Sequence, residues 1–395
     1  MRTLVISNDV TVGFGVPVAA PGLRAAGLAE GLTAHGHDVS IAVPYDLLST
    51  LFADNIPAAP PGVDIVSPPQ LMAHIEQIGA EAVVFINSNL SPHLHPAPGV
   101  RFVYDLFAPK ALEGLASKGG GRPFTELARE KERALALADA VWVNGQRKMG
   151  YALGWLLRSE VDRIRTVDFA KPSVMANDIA DMVSLVEMPV PLPESISVDD
   201  PNRSPSTDQT TRGAARRLGV AGYAQAWSSL SSVSTGHQTL VDSGHELHCL
   251  TPQHWAGDPA NAPVTALPTE TVLHDGPLLF EDFARWVQSM DAMVDVFEPS
   301  SERFFAMITR SAVALRLGVP LIHAIDSEIA DLVTFYDAGW VLDPEDEQGW
   351  KRIAEEVGTE SILSRKRQGA RRVSAERFAP SAALANVANT LGTVG

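Results

Sequence analysis

The loop between residues 13 and 22 has the composition of a site for an anionic group. It contains Gly13, Gly15 and Gly22, and glycine allows the main chain to approach a ligand closely. A helix is predicted to follow, with Arg24 near its start, and a helix start together with an arginine attracts an anion. A flexible turn followed by a surface arginine explains the same residues, so both interpretations stand at this stage.

The segment Pro-Ser-Ser-Glu at residues 299–302 is the second stretch whose residue types could do chemistry. An apolar run predicts a buried strand directly before it, and a helix ending near Leu317 is predicted directly after it. Ser300 or Ser301 can cap that helix, and the free amides of its first turn would favour a diphosphate. Helix capping alone also accounts for both serines and for Glu302.

Several common nucleotide and metal motifs are absent from the sequence. The run Gly-Phe-Gly-Val-Pro at residues 13–17 lacks the third glycine of a dinucleotide fingerprint, and proline has no amide to offer a pyrophosphate. There is no Gly-Lys-Ser/Thr loop for phosphoryl transfer and no Gly-x-Ser-x-Gly elbow of a serine hydrolase. His245 and His248 miss the histidine spacing of zinc proteases. We therefore expect neither a bound metal nor a cofactor.

The composition excludes several classes of protein. The chain has 395 residues, 45% of them hydrophobic, which is enough for sizeable cores and favours two domains over one. Its formal charge of −16 would repel nucleic acid and anionic membranes, so neither is an expected partner. No apolar stretch approaches the length of a membrane span, and the single cysteine, Cys249, cannot form an internal disulfide. A cytoplasmic location is the expectation.

Short apolar runs alternate with helical patterns along most of the chain. Leu4–Ile6 predicts a first strand, Leu23, Leu28 and Leu32 recur at helical spacing, and Val39–Val43 predicts a second strand. Further strands are predicted at residues 82–86, 102–104, 141–143, 247–250, 292–296 and 319–322. This alternation is typical of α/β proteins with parallel sheets. We therefore predict two doubly wound, Rossmann-like domains that face each other across a cleft holding the site.

A change of composition marks the boundary between the two domains. Pro-Val-Pro-Leu-Pro, followed by a run rich in Ser, Asp, Asn and Thr, predicts an extended linker over residues 189–212. The N-terminal domain is then predicted over residues 1–188 and the C-terminal domain over 213–371. The remaining residues, 372–395, are predicted to form a helix that packs back on the N-terminal domain.

Seven short segments follow one another in an order that a known family shares. They are residues 21–24 (PGLR), 35–39 (HGHDV), 103–107 (VYDLF), 138–144 (ADAVWVN), 299–302 (PSSE), 318–322 (GVPLI) and 336–342 (YDAGWVL). Together they resemble the two-Rossmann glycosyltransferases called GT-B, and within them the retaining group GT4. The likeness runs through most of the chain, which gives it more weight than any single motif has.

The resemblance implies a nucleoside diphosphate sugar held mainly by the C-terminal domain and an acceptor presented by the N-terminal domain. By similarity, Gly222 lies on the first strand of the C-terminal domain beside the diphosphate, and Arg310 matches an arginine that relatives carry on a nearby helix. Asp105, which follows a strand, is the candidate catalytic group in contact with sugar or acceptor, with a capping or core aspartate as the other interpretation. The predicted donor-binding residues are Gly15, Arg24, Gly222, Ser300, Ser301, Glu302 and Arg310.

The sequence departs from the family at two acidic positions and in one segment where relatives carry basic residues. Where relatives have a pair of acidic residues, this chain has Phe305 and Val313, and residues 225–229 (QAWSS) replace the family's arginine and lysine. Three functions are therefore open: metal-independent transfer of a hexose or deoxyhexose to a small-molecule or glycan acceptor, an inactive transferase-like partner protein, and a nucleotide-sugar epimerase. The first is the expectation, in natural-product or envelope-glycan synthesis, and a homodimer stays open.

Overall fold

The computed structural model describes residues 1–53, 55–116, 122–159, 182–198, 214–222, 234–250, 266–388 and 391. The chain divides into two compact units. Unit 1 comprises Met1–Pro191 and Ala379–Gly395, and unit 2 comprises Leu192–Phe378.

Unit 1 contains a seven-stranded sheet. Its strands are β1 (Arg2–Ile6), β2 (Asp38–Pro44), β3 (Val63–Val66), β4 (Ala82–Ile86), β5 (Arg101–Leu106), β6 (Ala140–Val143) and β7 (Val183–Leu185). They lie in the order β3-β2-β1-β4-β5-β6-β7, and every neighbouring pair is parallel. The central strand β4, with the sequence AVVFI, is buried at every position, as expected for a strand covered on both faces.

The helices of the first part of unit 1 alternate with these strands. They are α1 (Ala20–Ala34), α2 (Tyr45–Phe52), α3 (Leu71–Ile78), α4 (Lys110–Ala116), α5 (Phe124–Leu137) and α6 (Gln146–Ser159). Helix α1 begins with a proline in its first turn, where a missing amide costs no hydrogen bond. It buries Leu23, Leu28 and Leu32, the residues whose spacing predicts the helix.

Unit 2 contains a six-stranded sheet of the same kind. Its strands are β8 (Arg217–Ala221), β9 (Glu246–Leu250), β10 (Val272–Leu273), β11 (Ala292–Asp295), β12 (Leu321–Ala324) and β13 (Gly339–Leu342). The order is β10-β9-β8-β11-β12-β13, and again every neighbouring pair is parallel. Strands β8 and β11 are thus neighbours at the point where the strand order reverses.

Seven helices of unit 2 lie within the described residues. They are α7 (Ser234–Asp242), α8 (Phe280–Gln288), α9 (Ser301–Phe305), α10 (Thr309–Arg316), α11 (Glu328–Tyr336), α12 (Glu347–Val357) and α13 (Glu360–Val373). The single helix predicted up to Leu317 is wrong, because α9 and α10 are separate. The intervening Ala306, Met307 and Ile308 are 8%, 4% and 7% exposed. Three consecutive residues cannot all face a core from one side of a helix, so their burial favours an extended connection.

The two units differ in extent from the domains predicted above. Unit 2 begins at Leu192, and the first part of the predicted linker packs on α8, where Gln288 Nε2 donates to Ser197 O at 2.9 Å. Residues 199–212 of that linker lie outside the described residues. The last described helix, α14 (Pro380–Leu384), belongs to unit 1 and packs on α1. A Cβ atom on Gly31 of α1 would lie 2.1 Å from Leu384 Cδ1.

The doubly wound α/β class predicted from the sequence is confirmed by these two parallel sheets with their interleaved helices.

Among the helices of the described residues, none is both long and apolar enough to cross a membrane.

Candidate functional site

The carboxyl ends of β8 and β11 mark the expected ligand position in unit 2. In doubly wound sheets a ligand binds beyond the strand ends at the point where the strand order reverses. Here Gly222 directly follows β8 and Asp295 is the last residue of β11. Arg310, in the first turn of α10, contacts both of them.

Asp295 is a buried carboxylate that gathers several side chains. Its Oδ1 atom accepts hydrogen bonds from Arg303 Nη2 at 3.0 Å and from Arg310 Nη2 at 2.8 Å. Its Oδ2 atom accepts from Ser311 Oγ and lies 3.6 Å from His323 Nε2. Burial alone would raise the pKa of Asp295, but the neighbouring arginines and His323 outweigh it and hold that pKa well below its ordinary value.

Two guanidinium groups therefore share one carboxylate at this strand end. Arg303 is 5% exposed, whereas the Arg310 side chain is 17% exposed. The guanidinium carbons of Arg303 and Arg310 lie 4.9 and 4.3 Å from the centroid of the Phe297 ring. Arg310 Nε is buried and has no hydrogen-bond partner among the described residues. Two guanidinium groups bind the one buried carboxylate, with Glu302 as a further acidic group near Arg303, and the unused Nε donor of Arg310 suits an anionic ligand.

Gly222 has a backbone conformation and a neighbour that both favour glycine. Its φ of +123° lies in a region that other residues rarely adopt. A Cβ atom built on it would lie 3.0 Å from Arg310 Cδ and from Arg310 Nη1. The glycine thus leaves room for the Arg310 side chain against the end of β8.

Ser300 is the N-cap of α9, one of the two alternatives weighed for this serine. Its Oγ atom accepts from Arg303 N at 3.1 Å, so the cap occupies one of the first amides of the helix. Ser301 is exposed and Glu302 is half-buried in the same turn. With five residues, α9 offers only a short dipole, and Arg310 carries more of the positive charge at this strand end.

Arg24 and Asp105, both predicted as site residues, bind each other inside unit 1. Arg24 Nε and Nη2 donate to the two carboxylate oxygens of Asp105 at 2.9 and 2.8 Å, and both side chains are fully buried. Arg24 Nη1 donates to Val186 O at 3.2 Å and to Glu187 O at 2.5 Å. This pairing gives both residues a structural role, and their contact with a substrate stays a prediction.

Gly15 lies in the loop between β1 and α1 of unit 1. Its φ is +72°, and a Cβ atom on it would meet nothing within 4 Å. The site residues predicted together thus belong to different units. Gly15, Arg24 and Asp105 lie in unit 1, and Gly222, Ser300, Ser301, Glu302 and Arg310 lie in unit 2.

Three charged residues near the strand ends are not among the site residues predicted from the sequence. Asp295 and Arg303 complete the cluster around Arg310, and Asp9 follows β1 in unit 1. An acidic residue at or just after a buried apolar run is the signal that could have identified both aspartates. The positions that match the family's acidic pair hold Phe305, half-buried at the end of α9, and Val313, buried in α10.

Within the described residues, no group of three or more His, Cys, Asp or Glu side chains is placed to hold a metal ion. Arg303 and Arg310 are instead the charged groups that could neutralise an anion at the end of β11.

Comparisons of sequence identify no relative, since neither a protein-family model nor a curated protein matches the chain. Comparisons of structure, in contrast, find solved structures that are similar to this chain. Sucrose-phosphate synthase from Thermosynechococcus elongatus superposes with a TM-score of 0.64 at 12% identity, covering 99% of this chain and 97% of that one. An α-glucosyltransferase in complex with UDP gives a TM-score of 0.61 at 11% identity and covers 100% of both chains. HepE of Anabaena, in complex with UDP-glucose, gives 0.58 at 12% identity and covers 99% of both.

These similarities extend over nearly the whole length of each chain but at very low identity. Likeness of this kind establishes the fold and leaves substrate and chemistry to be argued from the site. The chain therefore has the fold of the GT-B glycosyltransferases, as the order of its sequence motifs predicts.

Proposed function

We propose that this protein is a glycosyltransferase that moves a sugar, a hexose or deoxyhexose, from a nucleoside diphosphate sugar to a small-molecule or glycan acceptor without a metal. The observation that carries the proposal is the Arg310 guanidinium at the strand-order reversal of unit 2, which keeps one donor unused. Arg310 lies at the end of β8 and donates a hydrogen bond from Nη2 to Asp295, while its Nε has no partner among the described residues.

The chemistry of sugar transfer requires such a charge. When the bond between the sugar and the diphosphate breaks, the diphosphate takes the bonding electrons and its negative charge grows. A fixed guanidinium stabilises this charge without reorganisation, especially where burial lowers the local dielectric constant. Because Asp295 is also bound by Arg303 and Ser311, the guanidinium of Arg310 is held in one orientation.

The proposal assigns the donor to unit 2 and the acceptor to unit 1. Structures with this fold have been solved with UDP and with UDP-glucose, which makes uridine nucleotides the first donors to test. Glu302 belongs to the proposed donor site together with Arg310, Gly222 and the two serines. A cytoplasmic location is part of the proposal, because the single cysteine, Cys249, is a buried free thiol.

Thermal unfolding in the presence of UDP, GDP or dTDP tests the donor site. A ligand at one hundred times its Kd stabilises the folded state by about 2.7 kcal/mol, which raises the melting temperature by roughly 5–11 °C for a unit of this size. We expect Arg310→Ala and Glu302→Ala each to weaken nucleotide binding by about 1–3 kcal/mol. Arg365→Ala is the matched control, since Arg365 is an exposed arginine of α13 in the same unit. Failure of all three nucleotides to shift the melting temperature would contradict the proposal.

A second candidate, a catalytically inactive partner of another enzyme, is favoured by one observation. Phe305 and Val313 stand where relatives have acidic residues, and neither can accept a hydrogen bond from a sugar hydroxyl. The two functions share nucleotide binding but differ in turnover. Release of UDP from UDP-glucose over hours, measured against a reaction without protein, supports the transferase, and binding without release supports the inactive partner.

A further inference from the structure

His248 and His274 bring two imidazole rings together on one side of the unit 2 sheet. His248 lies in β9 opposite Val272 of β10. Because residues two apart on a strand point to the same side, His274 stands diagonally across from His248. His274 N donates to Cys249 O at 2.9 Å, which carries the pairing one residue beyond β10. The strand pairing thus places side by side two histidines that are 26 positions apart in the sequence.

The two rings meet through one nitrogen of each. His248 Nδ1 lies 2.9 Å from His274 Nε2. In the neutral pair one proton lies between these two atoms, since one nitrogen donates and the other accepts. Imidazole nitrogens are also common ligands of transition metals. When an ion takes the place of the shared proton, each ring keeps its one proton on its outer nitrogen, so the neutral pair releases no proton.

The separation of the two nitrogens selects the class of ion. Imidazole nitrogens bind zinc and its neighbours at about 2.0–2.1 Å, so two of them at a right angle stand about 2.8–3.0 Å apart and two at a tetrahedral angle about 3.3–3.4 Å apart. The observed 2.9 Å fits the right angle. Right-angle coordination by nitrogen and oxygen is typical of copper(II) and nickel(II), whereas zinc(II) prefers a tetrahedron.

The outer side of His248 faces a carboxylate. His248 Nε2 lies 3.4 Å from Glu246 Oε2, so Glu246 can accept the outer proton and orient the ring. A carboxylate behind a ligating histidine is the usual support of a metal site. Arg217 Nε lies 3.4 Å from the same nitrogen and offsets part of the carboxylate charge. The Glu246 side chain is 62% exposed and His274 is half-buried, so the pair lies at the surface of unit 2.

We propose that His248 Nδ1 and His274 Nε2 bind one divalent late transition-metal ion, copper(II) or nickel(II). Among the described residues no group of three or more His, Cys, Asp or Glu side chains could hold an ion, so water completes the coordination of this two-ligand site. The ion would clip β10, a strand of two residues, to β9. Neither histidine belongs to the proposed donor site, and the inference does not depend on the proposed function.

The test uses the full chain without an affinity tag. Copper(II) chloride and, separately, nickel(II) chloride are titrated by calorimetry into the wild type, His248→Ala, His274→Ala and His95→Ala. His95 is an exposed histidine of unit 1 and serves as the matched control. We expect one tightly bound ion per chain in the wild type and in His95→Ala, and loss of this ion in both variants of the pair. Glu246→Gln should weaken binding by about 10–100-fold, the usual effect of losing the group behind a ligand.

Two spectroscopic measurements identify the ligands. Electron paramagnetic resonance of the copper(II) complex should show a tetragonal ion with two imidazole nitrogens. Trp286 contacts His274 edge-on with 5.6 Å between the ring centroids, so bound copper(II) should quench part of the fluorescence of the seven tryptophans. Trp286→Phe should remove this quenching without loss of the ion.

The melting temperature separates loss of the site from loss of the fold. Each protein is unfolded once with EDTA and once with nickel(II). The wild type should melt at a higher temperature with nickel(II), because an ion that binds only the folded state stabilises it. His248→Ala and His274→Ala should melt at the same temperature in both solutions. A variant that is only less stable would keep the shift.

Three results would overturn the site. They are a wild type that binds no ion, binding that is unchanged in both His248→Ala and His274→Ala, and a copper(II) spectrum without two nitrogen ligands. The contact between the two histidines would then be a hydrogen bond between strands and nothing more. Absence of nucleotide binding would refute the transferase assignment and leave the metal site untouched, so the two failures are distinguishable.

Discussion

Breaking the Arg24–Asp105 pair should destabilise unit 1 strongly. Arg24 makes four hydrogen bonds, two of them to the Asp105 carboxylate, and both side chains are 0% exposed. The variant Asp105→Leu would leave Nε and Nη2 of Arg24 without acceptors and a positive charge without a counterion in the core. Removal of one partner of a buried ion pair costs about 3–5 kcal/mol. For a unit of this size the melting temperature falls by roughly 6–20 °C.

A double-mutant cycle isolates the interaction. Arg24→Met with Asp105→Leu removes both charges, so the double variant should recover about 2 kcal/mol relative to Asp105→Leu alone. Urea denaturation followed by circular dichroism gives the free energy of unfolding for all four proteins. A cost below about 1 kcal/mol for Asp105→Leu would refute the structural role, since no well-buried charge can be left unpaired so cheaply. A stable variant without transferase activity would instead support the substrate contact predicted for Asp105.

Three further predictions concern single positions. Burial raises the pKa of the Asp9 carboxyl from 3.8 to about 6, so this group binds more protons in the folded state than in the unfolded state. Its contribution to stability is therefore lost as the pH rises from about 4 to 6. Urea denaturation should show that Asp9→Asn stabilises the protein by on the order of 2 kcal/mol at pH 8 and by less at pH 4. Lys131 is 1% exposed with its Nζ 2.6 Å from Tyr151 Oη, and burial lowers its pKa from 10.5 to about 7. The free energy of unfolding should therefore rise with pH above about 7. Lys131→Met should remove this rise and stabilise unit 1 by on the order of 3 kcal/mol at pH 6, again by urea denaturation. Gly222→Ala should lower the free energy of unfolding by about 1–2 kcal/mol, because the φ of Gly222 is +123°. It should also weaken UDP binding by displacing Arg310, which calorimetry would detect. An unchanged Kd for UDP would contradict the placement of the donor.

The alternation of elements was predictable because it depends on local patterns. Buried parallel strands are apolar runs, such as β4, and α1 shows its spacing of leucines directly. The break between α9 and α10 was not predictable, since Ala306–Ile308 is an apolar run that fits a helix as well as an extended connection. Only its burial decides between them.

Candidate site residues could be selected from the sequence, but their side-chain partners could not. Arg24 was identified near a predicted helix start, Asp105 after a predicted strand and Arg310 by its likeness to an arginine of relatives, and all three criteria are local in the sequence. Their partners are set by tertiary placement: Arg24 and Asp105 are 81 residues apart, and Arg310 meets Asp295 across 15 residues. No sequence pattern indicates that Arg24 and Asp105 form a buried ion pair. None indicates either that Arg310 keeps a donor without a partner among the described residues.

The most direct test of the donor site is a crystal structure of the protein with bound UDP. We expect the diphosphate to lie beyond the ends of β8 and β11, with one of its oxygens within hydrogen-bond distance of the Arg310 guanidinium and the Gly222 backbone alongside. A diphosphate bound elsewhere, with Arg310 still bonded to Asp295 alone, would contradict the account.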